Sequence, residues 1–583
     1  MALSTGMDME TGARWRDRLP NFSPAKLIAV LGVVLVAWLV LVPLLALFYT
    51  AFAEDTIYGP GDFTVDNFVN AYTQWHLLAL FWNSLVFAGG SALLTLALGG
   101  LVAWAVERTD MPGREVFHSL TLLSFALPGL LTTMAWMLIL SPNVGWVNAL
   151  LKIWFGLDQP PFNIYSMGGM IWVLSAHYFP LAYLLLGPAF RSLDVRMEEA
   201  ASMSGARALQ IARRVTMPMM RPALLSTLLL LFVRGIESFE VPRLIGNPAR
   251  IEVFTTDIQG AIRSSTPELG TASALSITLM AICVFTVWLY RRATRNAEAY
   301  ATITGKGYKP TRMNLGVWRW PLCAMIGLIF AFALGLPVAT LIWQSLFLKP
   351  TLPFMAGAGE MTSENYRFIF SYPIFADAVV TSVSLGAMAA TLIVGLTFLL
   401  AWIAQRAVPR YGWMFDVLAF LPIAFPSIIV GASILFAYLM LPIPVYNTIW
   451  ILLIAYLTLF MPYGMRFASG GLVQIHKELE EAAQTSGASY GQVFRRILAP
   501  LLIPVALSAW IYIFVLAVRE LGASIMLVGP GTHVLGTISL TMWEEGGSYG
   551  AVCALGVIQI MPLIAIVALL RGLERRIQQS QQG

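Results

Sequence analysis

The sequence predicts an all-α integral membrane protein with about 12 transmembrane helices arranged in two homologous six-helix repeats. Three observations support this fold class. The chain of 583 residues is 58% hydrophobic and only 11% charged, with a mean hydropathy of +0.74, whereas a soluble domain is about 25% charged. A charged segment occurs twice at a constant spacing. Basic residues are concentrated in alternate loops between the apolar runs, as is typical of multi-pass membrane proteins.

The apolar runs are long enough to cross a bilayer, because about 20 helical residues at about 1.5 Å each span its hydrocarbon core. In the first repeat the predicted spans are 27–52, 80–106, 116–140, 166–190, 222–246 and 269–290. In the second repeat they are 321–346, 379–405, 413–440, 445–465, 498–523 and 550–570. The predicted divisions are an N-terminal tail at 1–26, repeats at 27–295 and 321–571, a linker at 296–320 and a C-terminal tail at 572–583.

The duplication covers whole halves of the chain. The segment 199–218 recurs as 481–500 at an offset of 282 residues. Upstream landmarks, among them Pro128 and Pro426, align at an offset of 298, so the first repeat carries a longer loop around 141–164. Self-similarity over such a length indicates a repeat architecture rather than a recurring short motif.

The distribution of Lys and Arg predicts the orientation. Of the 36 basic residues, 28 lie in the two tails, the linker and the loops on one side, and Lys and Arg accumulate on the cytoplasmic side of membranes. Both termini and both copies of the duplicated segment are therefore predicted to be cytoplasmic. This bias accounts for the net charge of +5, so we expect a lipid bilayer and no nucleic acid as partner. The first apolar run is longer than the core of a cleaved signal peptide.

The duplicated segment predicts a pair of short helices joined by a turn. Glu and Ala favour helix, Gly205 and Gly487 can adopt the left-handed conformation that ends a helix, and Pro218 and Pro500 suit the first turn of the next helix. Such a protruding helical pair can dock in a cleft of a soluble partner.

The same residues carry a resemblance to the permease subunits of binding-protein-dependent ABC importers, of the type I fold and the fused two-repeat kind. The family signature is Glu-Ala-Ala, three residues, Gly, nine residues, an aliphatic residue and, after two more positions, Pro. The matching residues are Glu199, Ala200, Ala201, Gly205, Val215 and Pro218 in the first copy, and Glu481, Ala482, Ala483, Gly487, Ile497 and Pro500 in the second. Met217 and Ala499 replace the Leu that is common before the proline. The resemblance covers almost the whole chain.

The resemblance implies a multi-pass permease of the bacterial inner (plasma) membrane without catalytic activity of its own. In that family the Glu-Ala-Ala loops dock on a separate ATPase subunit, and the sequence contains no Gly-x-x-x-x-Gly-Lys-Ser/Thr motif for phosphate binding. The chain is therefore expected to bind no cofactor, while the partner ATPase binds ATP and Mg²⁺. Two fused halves imply two ATPase copies and a periplasmic substrate-binding protein.

Further motifs resemble the ferric-iron branch of these permeases. They are the basic connector 305–310 and the segments 237–242 and 519–524. The resemblance implies transport of ferric iron by alternating access. Relatives in the same branch carry thiamine, phosphonates or polyamines, and these substrates stay as alternatives.

Five charged residues in predicted spans are the candidate substrate pathway: Arg234, Glu237, Glu240, Arg519 and Glu520. Ionisable groups inside a bilayer are costly and usually face a cavity or a partner. Alternatively, Arg234 and Glu237 form only a structural pair at i,i+3 spacing. The carboxylates suit a hard cation, while the arginines suit an anion or a chelated ion, so the charges leave the substrate open.

Other functional classes receive little support. The three cysteines lie singly in apolar helices and the five histidines are dispersed, so neither a metal site nor a catalytic site is predicted. An ion-coupled secondary transporter with repeated halves is one rival, but its usual basic motif is missing from the loop 107–114. A membrane scaffold or receptor is the other rival, and neither class explains the paired loops.

Overall fold

The computed structural model describes residues 24–56, 59–73, 75–193, 195–206, 208–294, 313–353, 361–407, 409–545 and 548–562. The chain divides into two compact units. One unit consists of Met1–Val42, Ala390–Pro422 and Phe460–Ile513. The other consists of Pro43–Ala389, Ile423–Leu459 and Phe514–Gly583.

The elements of the first repeat are α1 (Pro24–Ala51), β1 (Ala53–Thr56), β2 (Gly59–Phe63), α2 (Asp66–Thr73), α3 (Trp75–Arg108), α4 (Arg114–Ala126), α5 (Gly129–Leu140), α6 (Trp146–Phe155), α7 (Met167–Ser192), α8 (Val195–Met203), α9 (Ala208–Ile211), α10 (Met217–Ile236), α11 (Phe254–Arg263) and α12 (Leu269–Thr294). The two short strands pair antiparallel. Helix α6 lies in the longer loop that the two offsets predict.

The elements of the second repeat are α13 (Arg319–Phe330), α14 (Leu336–Ser345), α15 (Glu364–Ser371), α16 (Pro373–Trp402), α17 (Gly412–Phe420), α18 (Ser427–Met440), α19 (Ile449–Val473), α20 (Lys477–Thr485), α21 (Tyr490–Val493), α22 (Ala499–Val518), α23 (Gly522–Leu527), α24 (Leu535–Glu544) and α25 (Tyr549–Pro562). A five-residue π-helical turn joins α13 to α14, so these two helices form one apolar span.

The predicted all-α membrane fold is confirmed. Within the described residues, nine helical segments are long and apolar enough to cross a membrane, and two bent pairs of helices raise this number to as many as eleven. The predicted twelfth span begins as the apolar helix α25, and its remainder lies outside the described residues.

Two predicted spans are broken rather than continuous. Helices α4 and α5 meet at an angle of 100°, and a second break separates α17 from α18. Pro128 and Pro426 stand at the N-caps of α5 and α18 with extended backbone conformations. A proline cannot donate to the preceding turn and disfavours helix in the residue before it, which explains the break in both repeats.

The fifth helix of each repeat is shorter than predicted. Helix α10 ends at Ile236 and α22 ends at Val518, whereas the predicted spans continued to 246 and 523. Glu237, Glu240, Arg519 and Glu520 therefore follow the fifth helices instead of lying along them. The apolar composition continues past both ends, so hydropathy alone did not mark them.

The segments after the fifth helices repeat one another in detail. The N–H of Phe254, which begins α11, donates to Ser84 Oγ at 3.1 Å, and the N–H of Leu535, which begins α24, donates to Ser382 Oγ at 2.8 Å. Each bond satisfies one of the first N–H groups of a helix, which lack partners inside it. Because Ser84 and Ser382 are themselves 298 residues apart, the duplication extends to individual caps.

Close helix contacts depend on small residues within each unit. In the larger unit, a Cβ on Gly235 of α10 would lie 2.8 Å from the Cα of Ala88 in α3. In the smaller unit, a Cβ on Gly464 of α19 would lie 2.6 Å from Ile393 Cγ2 in α16. Small residues at such positions let helix backbones approach each other, as is common between membrane helices.

The linker rejoins the first repeat where its described part begins. Met313 donates its N–H to Arg108 O at 2.8 Å, and Asp110 donates its N–H to Met313 O at 3.2 Å. Asp110 Oδ1 also accepts the N–H of Leu315 at 3.0 Å. These bonds tie the start of the second repeat to the loop between α3 and α4. The earlier part of the linker, 296–312, lies outside the described residues.

Candidate functional site

Both copies of the Glu-Ala-Ala segment form helix, glycine turn and helix, as predicted. The first loop (residues 195–216) contains α8, Gly205, α9 and a π-helical turn that leads into α10. The second loop (residues 477–498) contains α20, Gly487, α21 and a π-helical turn that leads into α22. Pro218 and Pro500 are the second residues of α10 and α22, directly after the π-helical turns.

The two glycine turns have the same geometry. Gly205 has a φ of 82° and Gly487 a φ of 86°. After each glycine the chain closes a six-residue ring, with Ala206 N–H donating to Ala201 O at 3.1 Å and Ala488 N–H donating to Ala483 O at 3.0 Å. This is the bond that ends a helix in a Schellman motif. Space around both glycines is open, so the left-handed backbone is the reason for glycine.

The outer faces of the loops are available to a partner. Ala200 in the first loop and Glu481 and Ala482 in the second are exposed. The backbone of Glu199 belongs to α8, and its side chain lies outside the described part of the structure. Each loop therefore presents a short exposed helix before its glycine turn.

A buried ion pair holds the inner face of the first loop. Arg108, the last residue of α3, pairs with Glu198 in α8, and their side chains are only 4% and 9% exposed. Glu198 Oε1 also accepts from Thr216 Oγ1 at 2.6 Å, and Arg108 Nη1 donates to Leu193 O at 3.3 Å. The pair thus joins the end of α3 to both ends of the first loop.

The second loop contains the equivalent pair. Arg406 Nε donates to Glu480 Oε1 at 2.7 Å, with side chains 11% and 9% exposed. Arg406 Nη2 donates to Ile475 O at 2.8 Å and to Leu472 O at 3.3 Å. Charges this well buried are stable only when paired and hydrogen-bonded, and here both conditions hold.

These two ion pairs were missed by the sequence reasoning. The glutamates stand one residue before each Glu-Ala-Ala and are 282 residues apart, and the arginines are 298 residues apart. Both offsets are those of the duplication, so a search for charges conserved between the repeats would have found all four residues. Each pair ties its loop to the helix that it contacts, because a buried pair resists separation.

The first candidate pathway pair is an ion pair in the structure. Arg234 Nη1 donates to Glu237 Oε1 at 2.5 Å, and Glu237 is the C-cap of α10. This is the contact that the structural alternative predicts. A cation in the last helical turn also interacts favourably with the helix carbonyls.

Glu240 and Arg519 lie on the two sides of the break between α4 and α5. Glu240 Oε2 contacts the backbone of Gly129, the first residue of α5, so closely that a Cβ there would overlap it. Arg519 Nη1 donates to Phe125 O at 2.7 Å, and its guanidinium lies 5.3 Å from the centre of the Phe125 ring. A negative carboxylate thus lies at a helix start and a positive guanidinium at a helix end, and both charges interact favourably with the helix dipole.

Glu520 satisfies backbone groups of the second repeat. Its carboxylate accepts the N–H groups of Ala523 at 2.9 Å and Ser524 at 3.1 Å, at the start of α23. It also accepts from Ser524 Oγ at 2.8 Å. All five candidate pathway charges are therefore engaged with helix ends or with each other. A cavity of about 470 Å³ lies beyond the end of α10 that is remote from the first loop, and within the described residues none of the five charges lines it.

Comparisons with known proteins agree with this architecture. The family model described as "Binding-protein-dependent transport system inner membrane component" matches residues 95–298 and 394–579, one match in each repeat. The ferric transport system permease protein FbpB of Actinobacillus pleuropneumoniae is 25% identical over 92% of this chain and 76% of its own length. A putative ferric transport system permease protein of Haemophilus influenzae is 25% identical over 86% of this chain and 78% of its own length. A putative 2-aminoethylphosphonate transport system permease protein of Salmonella paratyphi A is 32% identical over 33% of this chain and 71% of its own length.

Proposed function

Because the chain belongs to the family of inner membrane components of binding-protein-dependent transport systems, and is thus a multi-pass permease of an ABC importer, we propose that it carries ferric iron from a periplasmic binding protein to the cytoplasm. The observation that carries the coupling mechanism is the pair of matched loops, each with an exposed helix, a left-handed glycine and a buried ion pair. The mechanism is alternating access, driven by ATP hydrolysis in partner subunits.

Two loops of the same geometry support two copies of a cytoplasmic ATPase subunit, one on each loop. ATP and Mg²⁺ bind to those subunits, and this chain supplies no catalytic residue. Both loops and both termini face the cytoplasm in this proposal. The support is the position of 28 of the 36 basic residues on that side.

Ferric iron is favoured over the other substrates by the extent of similarity. The relatives named for ferric transport are similar over most of this chain, whereas the relative named for 2-aminoethylphosphonate is similar over 33% of it. The second candidate substrate is an organophosphonate, favoured by the higher identity of 32% in that shorter region. The five charged residues at the helix ends are proposed to line the route once the breaks in α4–α5 and α17–α18 rearrange.

Reconstitution tests the function directly. The permease is purified with its ATPase and inserted into liposomes, its binding protein is added outside, and uptake of ⁵⁵Fe(III) and of labelled 2-aminoethylphosphonate is measured with and without internal ATP. ATP-dependent uptake of iron alone supports the first proposal, and uptake of the phosphonate alone replaces it by the second. If uptake of iron persists without ATP and stops when an ion gradient across the liposome membrane is dissipated, the importer mechanism is refuted.

A further inference from the structure

A cavity of about 470 Å³ lies beyond the fifth helix of the first repeat, at the end of α10 remote from the first loop. Its volume is within the range of small-molecule sites. Its walls come from both repeats. They combine an ion pair with three aromatic side chains: Arg243, Glu544, Tyr165, Trp543 and Tyr549.

The ion pair belongs to a reciprocal set of contacts between the repeats. Arg243 Nε donates to Glu544 Oε1 at 2.6 Å, and Arg263 Nη2 donates to Ile525 O at 2.5 Å. Ile525 follows Arg243 by 282 residues, and Glu544 follows Arg263 by 281. Arg243 thus contacts the equivalent of Arg263, and Arg263 contacts the equivalent of Arg243, as in an interface with a twofold axis.

The two contacts differ in chemistry although they are equivalent in position. Arg263 is exposed and reaches a backbone carbonyl outside the cavity. Arg243 lines the cavity and is bound to a carboxylate through Nε alone. Within the described part of the chain, no acceptor takes a hydrogen bond from its Nη1 or Nη2.

The free edge of Arg243 defines what the cavity can bind. The two Nη groups of a guanidinium form a fork that matches two oxygens of a carboxylate, phosphate or phosphonate. Trp543 and Tyr549 stand beside it with ring centres 5.1 Å apart. Burial raises the pKa of the nearby Tyr165 above its ordinary value, so its phenol stays a neutral hydroxyl.

We propose that this cavity receives the oxyanion group of the transported substrate and holds it on the Nη1–Nη2 edge of Arg243, while Glu544 fixes the guanidinium through Nε. The inference rests on the proposed function and specifies the chemistry of the substrate as it enters. The oxyanion belongs either to an organophosphonate or to an anion that chelates ferric iron. A chelate also resolves the conflict between an iron substrate and a pathway that contains arginines.

Binding to the purified full-length permease in lipid nanodiscs tests the site apart from transport. The probes are 2-aminoethylphosphonate, citrate and ferric citrate, and affinity is measured by microscale thermophoresis. We expect R243A and R243K to weaken binding about tenfold or more, because both lose the charge-assisted fork. We expect E544Q to tighten binding severalfold, because it keeps an acceptor for Nε and removes a neighbouring negative charge. R263A is the matched control and should bind as the wild type does.

The outcomes separate the site from the function. Binding of 2-aminoethylphosphonate alone shows that the oxyanion belongs to an organophosphonate. Binding of citrate or ferric citrate shows that it belongs to an anion that chelates iron. The inference is overturned if none of the three probes binds, if R243A and R243K keep wild-type affinity, or if E544Q weakens binding as a purely structural contact would. If R243A transports at the wild-type rate in liposomes, the site is wrong while the importer function stands. If the probes bind as predicted and no ATP-dependent uptake occurs, the function is wrong while the site stands.

Discussion

Replacing Glu198 by Gln should loosen the first loop from the membrane helices without unfolding the protein. The side chains of Glu198 and Arg108 are 9% and 4% exposed, so the substitution leaves the guanidinium buried without its counter-ion. Removing one partner of a buried pair costs about 3–5 kcal/mol. The cost at this site falls at the lower end, because Gln still accepts from Thr216 Oγ1 and Arg108 keeps its bond to Leu193 O.

A loss of about 3 kcal/mol shifts the equilibrium for opening of the loop by about 100-fold. Hydrogen exchange read by mass spectrometry should therefore show faster exchange in residues 195–206 of E198Q and little change elsewhere. In the assembled importer, substrate uptake per ATP hydrolysed should fall, because the loop moves without displacing α3. E480Q should have the same effect on residues 477–489.

The matched control is R191A. Arg191 pairs with Glu107 at 3.1 Å near the same helix ends; its own side chain is 52% exposed, and Glu107, 12% exposed, keeps the hydrogen bond from the Tyr183 hydroxyl at 2.9 Å in the variant. Solvent screens the charge of the arginine, so exchange and coupling should stay closer to the wild-type values than in E198Q. If E198Q and R191A behave alike, or if E198Q exchanges and transports as the wild type does, the buried pair is not the mechanical connection inferred for it.

Three further predictions concern other parts of the chain. Gly487→Val should destabilise the turn by about 1–2 kcal/mol, because β-branched residues resist a φ of 86°, and it should lower substrate-stimulated ATP hydrolysis. Gly491→Ala is the control, because the space around Gly491 is equally open. Equal ATP hydrolysis by the two variants would contradict the docking role. Gly129→Ala should displace the carboxylate of Glu240 and slow uptake in a protein that still elutes as a single species, so an unchanged rate would remove Glu240 from the pathway. A cysteine at the exposed Ser489 should react with membrane-impermeant maleimide only after lysis, and labelling of intact cells would reverse the proposed topology.

The features that could be predicted from the sequence are those with short-range causes. Apolar runs of membrane length predict spans regardless of what packs against them. A glycine followed by polar residues predicts the turn in each loop, and the structure has a φ of 82° at Gly205. Pro128 is a landmark of the repeat in the sequence, but the break at this proline is not predicted, because continuous hydrophobicity on both sides of it favours one unbroken span.

The ion pairs of the loops could not be predicted from local patterns. Arg108 lies 90 residues from Glu198, and Arg406 lies 74 residues from Glu480. Nothing in the spacing indicates which of the many loop charges will meet. The duplication supplies the missing information, since two charges that recur together in both repeats are under the same structural constraint.

The charged residues near the helix breaks have a role that composition alone does not indicate, because they satisfy the backbone groups of helix ends. A broken span leaves N–H and C=O groups without helical partners, and lipid cannot satisfy them. At the break after α4, Arg519 supplies a donor to the carbonyl of Phe125, and at the start of α23 Glu520 supplies acceptors to two N–H groups. Helix breaks and intramembrane charges thus occur together because each stabilises the other. On the proposed route, a substrate would have to compete with helix ends for the same side chains, so its passage and the rearrangement of the breaks would be coupled.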